Sequence, residues 1–503
     1  MAGKGLYKEG IFVAGYALIS KVLGVVREVA MAYFFGTSGV VDAYRISITT
    51  VLLPVDTLAG SNLGNSFIPT FKQMISGRKP RLGWLLANQI LILLLVGGAL
   101  CTIVVIGFSG SIVRILAPGF DPTRMKEASL LTATLAPMLP FFAGACLIGF
   151  VLNSLYKFRT PALQPVIQNV GLLIGIVIAA SIGSLVPLSL GTVVAYVFFF
   201  IILILVVRKY WVVQGWHPRK RDRKVWANFL QNFTPLLILS LILHGNTIVD
   251  RMVSSLLAVG SVASLEYARF IVDTPLVTLG LGMARVALPH FSDLETEGKR
   301  EEMVSTLERL LFGSLLWLFP LSLFLGMASH SIISLIYGYG RFGTESILPT
   351  ARALNGFSVG MWAAFGCYLM QRVYNAQRRN GILTIFCTLG LAVNTILNIE
   401  LGPRIGVQGI AIATSIANIL LFSLLLFGIS WKSFRKLAIH VGYLIGGVII
   451  IRYLLDYIVP WNASDLSVVV LVAVITVLAW IPWVMAHPLA RQTVLSFYRR
   501  HRE

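Results

Sequence analysis

About fourteen apolar windows of roughly 20 residues run through this chain, each long enough to cross a bilayer as a helix. In hydrocarbon every backbone N–H and C=O must find its partner inside the protein, and a helix supplies those partners along its own length. The windows fall near residues 10–34, 43–74, 83–107, 129–155, 161–183, 187–209, 231–258, 264–290, 305–328, 350–376, 380–400, 405–429, 437–459 and 466–487. Composition agrees: 57% of the 503 residues are hydrophobic and 12% charged, with a mean hydropathy of +0.82, whereas a soluble domain is about a quarter charged. The expected fold is an all-α polytopic membrane protein.

The net charge of +20 does not point to a nucleic-acid partner, because Lys and Arg collect in short loops, as the positive-inside rule requires. Lys4 and Lys8 precede the first window, and Lys72, Arg78, Lys79 and Arg81 follow the second. Lys157 and Arg159 follow the fourth, and the loop after the sixth is densest, from Arg208 and Lys209 to Arg219, Lys220, Arg221, Arg223 and Lys224. Arg378 and Arg379 follow the tenth window, Lys432, Arg435 and Lys436 the twelfth, and the tail ends RRHRE. The intervening loops are poor in charge, so both termini are expected in the cytoplasm with an even number of crossings. No signal peptide is expected, since the first apolar stretch is long, carries charges and lacks a small-residue cleavage site. Cys101, Cys146, Cys367 and Cys387 lie inside windows without metal-like spacing and read as packing residues.

Charges inside the windows carry the functional signal. Residues 11–45 place Lys21, Arg27 and Glu28 in an apolar stretch. A charge there costs ~2.5–3.5 kcal/mol on insertion scales and therefore faces a wet cavity or a partner. The cations return later: Arg27 and Arg45 are 18 residues apart, as are Arg251 and Arg269, with an offset of 224 from Arg27 to Arg251. IPTF at 68–71 echoes LPHF at 288–291, and VLNSLYKFRTPALQPVIQN at 151–169 echoes RVYNAQRRNGILTIFCTLGLAVN at 372–394. In both of the longer segments an Asn sits within the span that follows.

The expected organisation is two parallel six-helix lobes over residues 1–220 and 221–430, related by a pseudo-two-fold along the membrane normal. A C-terminal helix pair and a basic tail occupy 431–503. Such repeats place substrate at their interface near the midplane, often beside broken helices. Pro54, Gly60, Gly64 and Pro69 in window two, and Pro275, Gly280, Gly282 and Pro289 in window eight, fit that pattern. Ordinary Gly and Pro enrichment of membrane helices is the plainer reading.

The candidate substrate residues are Lys21, Arg27, Glu28, Asp42, Arg45, Arg251, Arg269 and Asp273. Asp42 and Arg45 lie three apart on one helical face, and Glu28 adjoins Arg27. One reading is a set of structural ion pairs between helices. The other is a shared central cavity, holding Arg27, Arg251 and Arg269 with Lys21 nearby, whose guanidinium forks take a diphosphate. No nucleophile–His–acid set and no phosphate-cradling loop occurs, so a transporter rather than an enzyme is expected.

Ser20-Lys21-Val22-Leu23-Gly24-Val25-Val26-Arg27-Glu28 resembles the S-R-x-L-G-x-x-R-[DE] signature that opens the MurJ/MviN family of lipid II flippases. Gly36 and Asp42-Ala43 continue it, and Ala117-Pro118-Gly119-Phe120 matches the family's APGF element. Leu152-Asn153, Pro161-Ala162, Pro165, Asn169, Tyr267-Ala268, Pro275 and Leu288-Pro289 follow, and the resemblance covers about 430 residues. It implies fourteen spans, a cationic central cavity and alternating access. It also implies translocation of an undecaprenyl-diphosphate-linked sugar, above all the peptidoglycan precursor lipid II, from the inner to the outer leaflet of the bacterial cytoplasmic membrane, by a monomer. The alternatives are an exopolysaccharide or O-antigen precursor flippase, a cation-coupled multidrug antiporter of the same exporter superfamily, and a scaffold for cell-wall synthesis, which would leave the repeated charges without a role.

Residue by residue, Arg27 matches an essential cavity cation of the family, and Lys21 replaces an Arg, keeping the charge without the fork. The family's second-span Arg aligns with Val55 and its eighth-span Arg with Phe270, beside Arg269. Asp56 next to the vacated position is expected either to pair with a cation such as Arg45 or to turn towards the sugar headgroup. The family's sodium site falls on Asp250, Asn394, Asn398, Thr414 and the Ile410 carbonyl, so sodium is the implied cofactor.

Overall fold

The computed structural model describes residues 2–77, 80–212 and 223–486. Arg78, Lys79, Arg219, Lys220, Arg221 and the RRHRE tail lie outside the described residues. No strand occurs among the described residues. The first helices are α1 (Ala2–Phe35), α2 (Gly39–Ala59), α3 (Ser61–Ser76), α4 (Pro80–Leu116), α5 (Pro122–Leu135), α6 (Met138–Ser154), α7 (Arg159–Ala162), α8 (Gln164–Ile182) and α9 (Val186–Val207). They continue with α10 (Arg223–Ser255), α11 (Ser261–Thr296), α12 (Arg300–Met327), α13 (Ser329–Tyr337), α14 (Thr344–Ala376), α15 (Asn380–Ile405), α16 (Val407–Ile429), α17 (Trp431–Ile458) and α18 (Asp465–Ala486).

Eleven helical segments are long and apolar enough to cross a bilayer, and α5 with α6, bent by 45°, makes a twelfth. Windows eight and ten lie on α11 and α14. These are 36 and 33 residues long but carry charges such as Glu266, Arg269 and Asp273, or Arg352 and Arg372. Windows four and eight differ from the broken-helix reading, and window two follows it. Window four bends between α5 and α6 at Ala136-Pro137, where proline has no N–H to give and its ring crowds the preceding turn. Window two breaks at Gly60, whose N–H closes on the Asp56 carbonyl at 2.9 Å. Window eight does not break: α11 runs unbroken through Pro275, Gly280, Gly282 and Pro289. A single proline removes one ladder bond, and packing in a membrane protein tolerates that loss.

The chain forms two compact units, residues up to Val262 and residues from Ala263. In the first, α10 packs on α2, α3 and α4, α1 on α8, and α8 on α9. The α8–α9 contact uses small residues: a Cβ on Gly171 would lie 2.6 Å from that of Ala195, and one on Gly175 2.8 Å from the Leu188 backbone. Lipid supplies no hydrophobic drive between helices, so close backbone approach and interhelical hydrogen bonds hold them. On α2, Thr49, Thr50 and Thr57 satisfy their hydroxyls one turn back, while Ser47 also donates to the Ala128 carbonyl of α5 at 2.8 Å. In the second unit α14 and α15 pack on α16, and α17 and α18 pack on α12. Tyr443 and Trp483 stack at 4.7 Å and bind α17 to α18.

The internal duplication extends to individual side chains. Gly144 leaves room for the Phe200 ring in the first unit, and Gly366 for the Phe422 ring in the second, a constant displacement of 222 residues. The same displacement relates Tyr156 and Arg378, the two non-glycine residues with positive φ among the described residues, at 60° and 55°. Each ends a helix with the same pair of bonds. Lys157 N–H reaches the Leu152 carbonyl at 2.9 Å and Arg379 N–H the Tyr374 carbonyl at 2.9 Å, which is the Schellman pattern that closes helix ends. Such a cap favours glycine. Both repeats accept the strain of a side chain instead, and in the first the Tyr156 ring carries Lys72 at 4.3 Å.

Candidate substrate site on the first helices

Ser20, Gly24, Arg27 and Glu28 fall at near-helical spacing on one face of α1. Gly24 lies on the face towards α8, where a Cβ would stand 3.9 Å from the Asn169 amide nitrogen, an ordinary contact distance. Asn169 uses both ends of its side chain. Nδ2 donates to the Ser20 carbonyl at 3.0 Å and to Ser20 Oγ at 3.3 Å, while Oδ1 accepts from Arg27 Nη1 at 2.9 Å. Arg27 Nη2 donates to Glu28 Oε1 at 2.6 Å. Arg45 on α2 donates to the same carboxylate, through Nη2 to Oε2 and through Nη1 to Oε1 at 3.3 Å. One buried carboxylate thus holds two guanidinium groups, and the cluster keeps one net positive charge.

This cluster forms one wall of a cavity of about 200 Å³, which Tyr44, Gln168 and Leu172 also line. Glu28 is 4% exposed, whereas Arg27 is 25% exposed. Of the two, Arg27 is therefore the more accessible from the cavity that both line. The bonds above occupy two of its five N–H donors. A cationic fork in a low-dielectric pocket suits phosphate oxygens, which it can take two at a time.

The other sequence candidates are not among the residues that line this cavity. Lys21 is half-buried and does not line this cavity. Asp42, one turn before Arg45 on α2, does not line the cavity: its Oδ2 accepts from the Gly260 N–H at 2.6 Å and lies 3.8 Å from Arg124 Nη1. Arg45 reaches Glu28, on another helix, rather than Asp42 one turn away on its own. Gly260 has φ +87°, and a Cβ there would collide with the Thr37 carbonyl, so Asp42 holds a turn only glycine fits. Nearby the APGF loop joins the same junction, with Gly119 N–H donating to Ser255 Oγ at 3.2 Å and Arg124 lying over the Phe120 ring at 4.7 Å. In that loop a hydrogen bond from Arg124 holds the Asp121 carboxyl below the usual carboxylate range.

Asp250 and Arg251 are buried on α10 and do not line the cavity. Arg269 and Asp273 belong to the second unit, where Arg269 lies 5.1 Å from the Phe357 ring and Asp273 is exposed. Of the two expectations for Asp56, pairing with Arg45 is not what the structure shows: Asp56 is 52% exposed and 3.7 Å from His244 Nε2. For sodium, Asn394 and Asn398 are buried one turn apart on α15, and on the adjacent α16 Thr414 Oγ1 donates to the Ile410 carbonyl at 3.1 Å. These are neutral oxygens of the kind a hard cation accepts; Asp250 lies on α10 of the first unit.

Sequence reasoning noted an Asn inside a span of each half but did not place Asn169 in the site, and it missed Gln168 and Tyr44. An amide in an apolar helix is the signal, since it must find a partner there.

The sequence profile described as lipid II flippase MurJ matches residues 31–498. The chain belongs to the MurJ family. A curated MurJ relative, the probable lipid II flippase of Thermotoga maritima, is 26% identical over 404 residues, covering 80% of each chain. Among solved structures, a lipid II flippase MurJ in an inward closed conformation superposes with a TM-score of 0.78 at 23% identity, covering 98% of this chain and 100% of that one. An inward-facing multidrug resistance transporter of the MATE family superposes at 0.65 with 16% identity, covering 83% and 96%. At that identity the likeness is one of fold. Val55 and Phe270, where the resemblance implies arginines, are buried and half-buried.

Proposed function

We infer that this multi-pass membrane protein is a lipid II flippase, carrying the lipid-linked peptidoglycan precursor from the cytoplasmic to the outer leaflet of the bacterial inner membrane by alternating exposure of its site. The observation that carries the reading to this chain is the Arg27–Glu28–Arg45 cluster at the wall of a cavity within the spanning helices. Its one net positive charge and open fork suit a diphosphate, and its buried acid keeps the two arginines together. The reading places both termini in the cytoplasm, in line with the basic loops, and has the protein act as a monomer. The family match does not favour the exopolysaccharide alternative. Expression in a bacterium depleted of its own MurJ is expected to restore growth and the appearance of lipid II in the outer leaflet. Stable, membrane-inserted protein that restores neither would overturn the assignment.

We also propose that sodium couples to this transport through the oxygens of Asn394, Asn398, Ile410 and Thr414. An ion can bias an exchange between conformations only by binding one of them better. Sodium is expected to raise the Tm of the purified protein, and Thr414→Val to abolish that rise. A sodium-dependent shift of the same size in the variant counts against the site.

A further inference from the structure

A second cavity, of about 90 Å³, lies between α12 and α17 in the second unit, far along the chain from the arginine cluster. Its floor is polar and buried. Ser433 and His440 line it at 3% and 6% exposure. His440 Nδ1 is 2.6 Å from the Lys436 carbonyl, and a carbonyl can only accept, so the ring proton sits on Nδ1. The Phe312 ring, met edge-on by His440 at 4.9 Å, and Leu437 make the apolar walls. Arg309 and Lys436, both exposed, supply positive charge at the rim.

The position of this cavity matters as much as its lining. It lies where the polar start of α12 gives way to its apolar body, beside the first turns of α17. Trp431 and Phe427 meet edge to face at 5.4 Å close by and are 59% and 54% exposed. Exposed aromatic residues at the end of a spanning helix mark the membrane–water interface. The opening turns of α17 carry Lys432, Arg435 and Lys436, with no acidic residue in the first turn. Cations at a helix N-terminus oppose the helix dipole. The positive-inside rule explains their number but not their place on that turn. An anion seated there would satisfy both the dipole and the cations. Glu308 is the one carboxylate in the lining, and its 2.6 Å pair with Lys436 is half-exposed, so it contributes little to stability and is easily exchanged.

We propose that this cavity seats the phosphate headgroup of an anionic phospholipid from the adjacent leaflet, with Arg309 and Lys436 at the phosphate, Ser433 beneath it, and Phe312 and Leu437 against the start of the acyl chains. The basic, interfacial, part-apolar lining is the kind that recognises lipid phosphate between spanning helices. The proposal does not rest on the transport reading.

The test uses the full chain in a nonionic detergent, titrated with dioleoylphosphatidylglycerol, with dioleoylphosphatidylcholine, or with inorganic phosphate alone. The Tm and, by native mass spectrometry, the number of retained lipids are read together. Phosphatidylglycerol is expected to raise the Tm and to be retained, and the other two are not. Lys436→Gln should weaken phosphatidylglycerol binding about fivefold, the effect of one cation near an anionic headgroup, and Arg309→Gln by a similar factor. Glu308→Gln should strengthen binding, because it removes the competing acid and releases Lys436. Lys299→Gln, an exposed basic residue outside the cavity, should change nothing. The proposal is overturned if phosphatidylcholine acts equally, if Lys436→Gln and Lys299→Gln are indistinguishable, or if Glu308→Gln weakens binding. An equal Tm rise with inorganic phosphate overturns the lipid assignment in favour of a soluble phosphate.

Discussion

Arg27→Ala is expected to abolish lipid II translocation while leaving the amount of folded protein close to wild type. The asymmetry follows from the geometry. Glu28 keeps its bonds to Arg45 when Arg27 is removed, so no buried acid is stranded, whereas the cavity loses the fork that faces it. Two charge-assisted hydrogen bonds to a phosphate contribute roughly 1.5–3 kcal/mol each, so the loss of rate is about 100-fold or more. Arg27→Lys should keep part of the activity, because an ammonium retains the charge but not the planar fork. Asn169→Ala should act in the same direction with a smaller effect, since Asn169 orients the fork through Nη1. Translocation in reconstituted vesicles, measured beside the Tm of each variant, decides the matter. Wild-type rates in the Ala variant would remove Arg27 from the mechanism.

Glu28→Ala should do the opposite, and damage the fold before the chemistry. Its carboxylate, 4% exposed, is the shared partner of Arg27 and Arg45. Without it two guanidinium groups face each other in a poorly solvated site. Breaking a buried pair by deleting one partner costs on the order of 3–5 kcal/mol, enough to remove much of the folded protein. The double variant Glu28→Gln with Arg45→Gln should regain part of that stability, because it leaves no uncompensated buried charge beyond Arg27, which still has Asn169. Folded yield and Tm in detergent report the outcome. A single Glu28→Gln variant as stable as wild type would mean that the carboxylate does not hold the arginines together.

How much of this was legible in the sequence differs by level. The helices were, because each apolar window must satisfy its own backbone in lipid. α8, α9, α15 and α16 begin and end within a few residues of their windows, apart from the last turn of α15. The arginine spacing suggested a duplication with an offset of 224 residues, and the pairs Gly144–Phe200 and Gly366–Phe422 repeat as packing at an offset of 222. Residues that carry charge in a membrane stand out because they are costly there, which is why Arg27, Glu28 and Arg45 were singled out from the sequence, and they do cluster in the structure.

Their partners were not legible. The spacing of Asp42 and Arg45 suggested a local pair, yet Arg45 turns to Glu28, 17 residues earlier, and Asp42 caps a turn 218 residues later. Arg27 finds Asn169 across 142 residues. Helical spacing says which side chains share a face, but the rotation of each helix about its axis decides what that face meets. Small residues such as Gly171 and Gly175 bear on that rotation by allowing another helix to approach. The breaks follow the same logic. Gly60 ends a helix and Pro275 does not, because a proline's missing bond can be absorbed by its surroundings, whereas the chain turns at Gly60 to close on Asp56. The sequence determined which residues had to lie in the membrane and which charges needed company there. Only the tertiary structure, by fixing the rotation of each helix, decided what that company is.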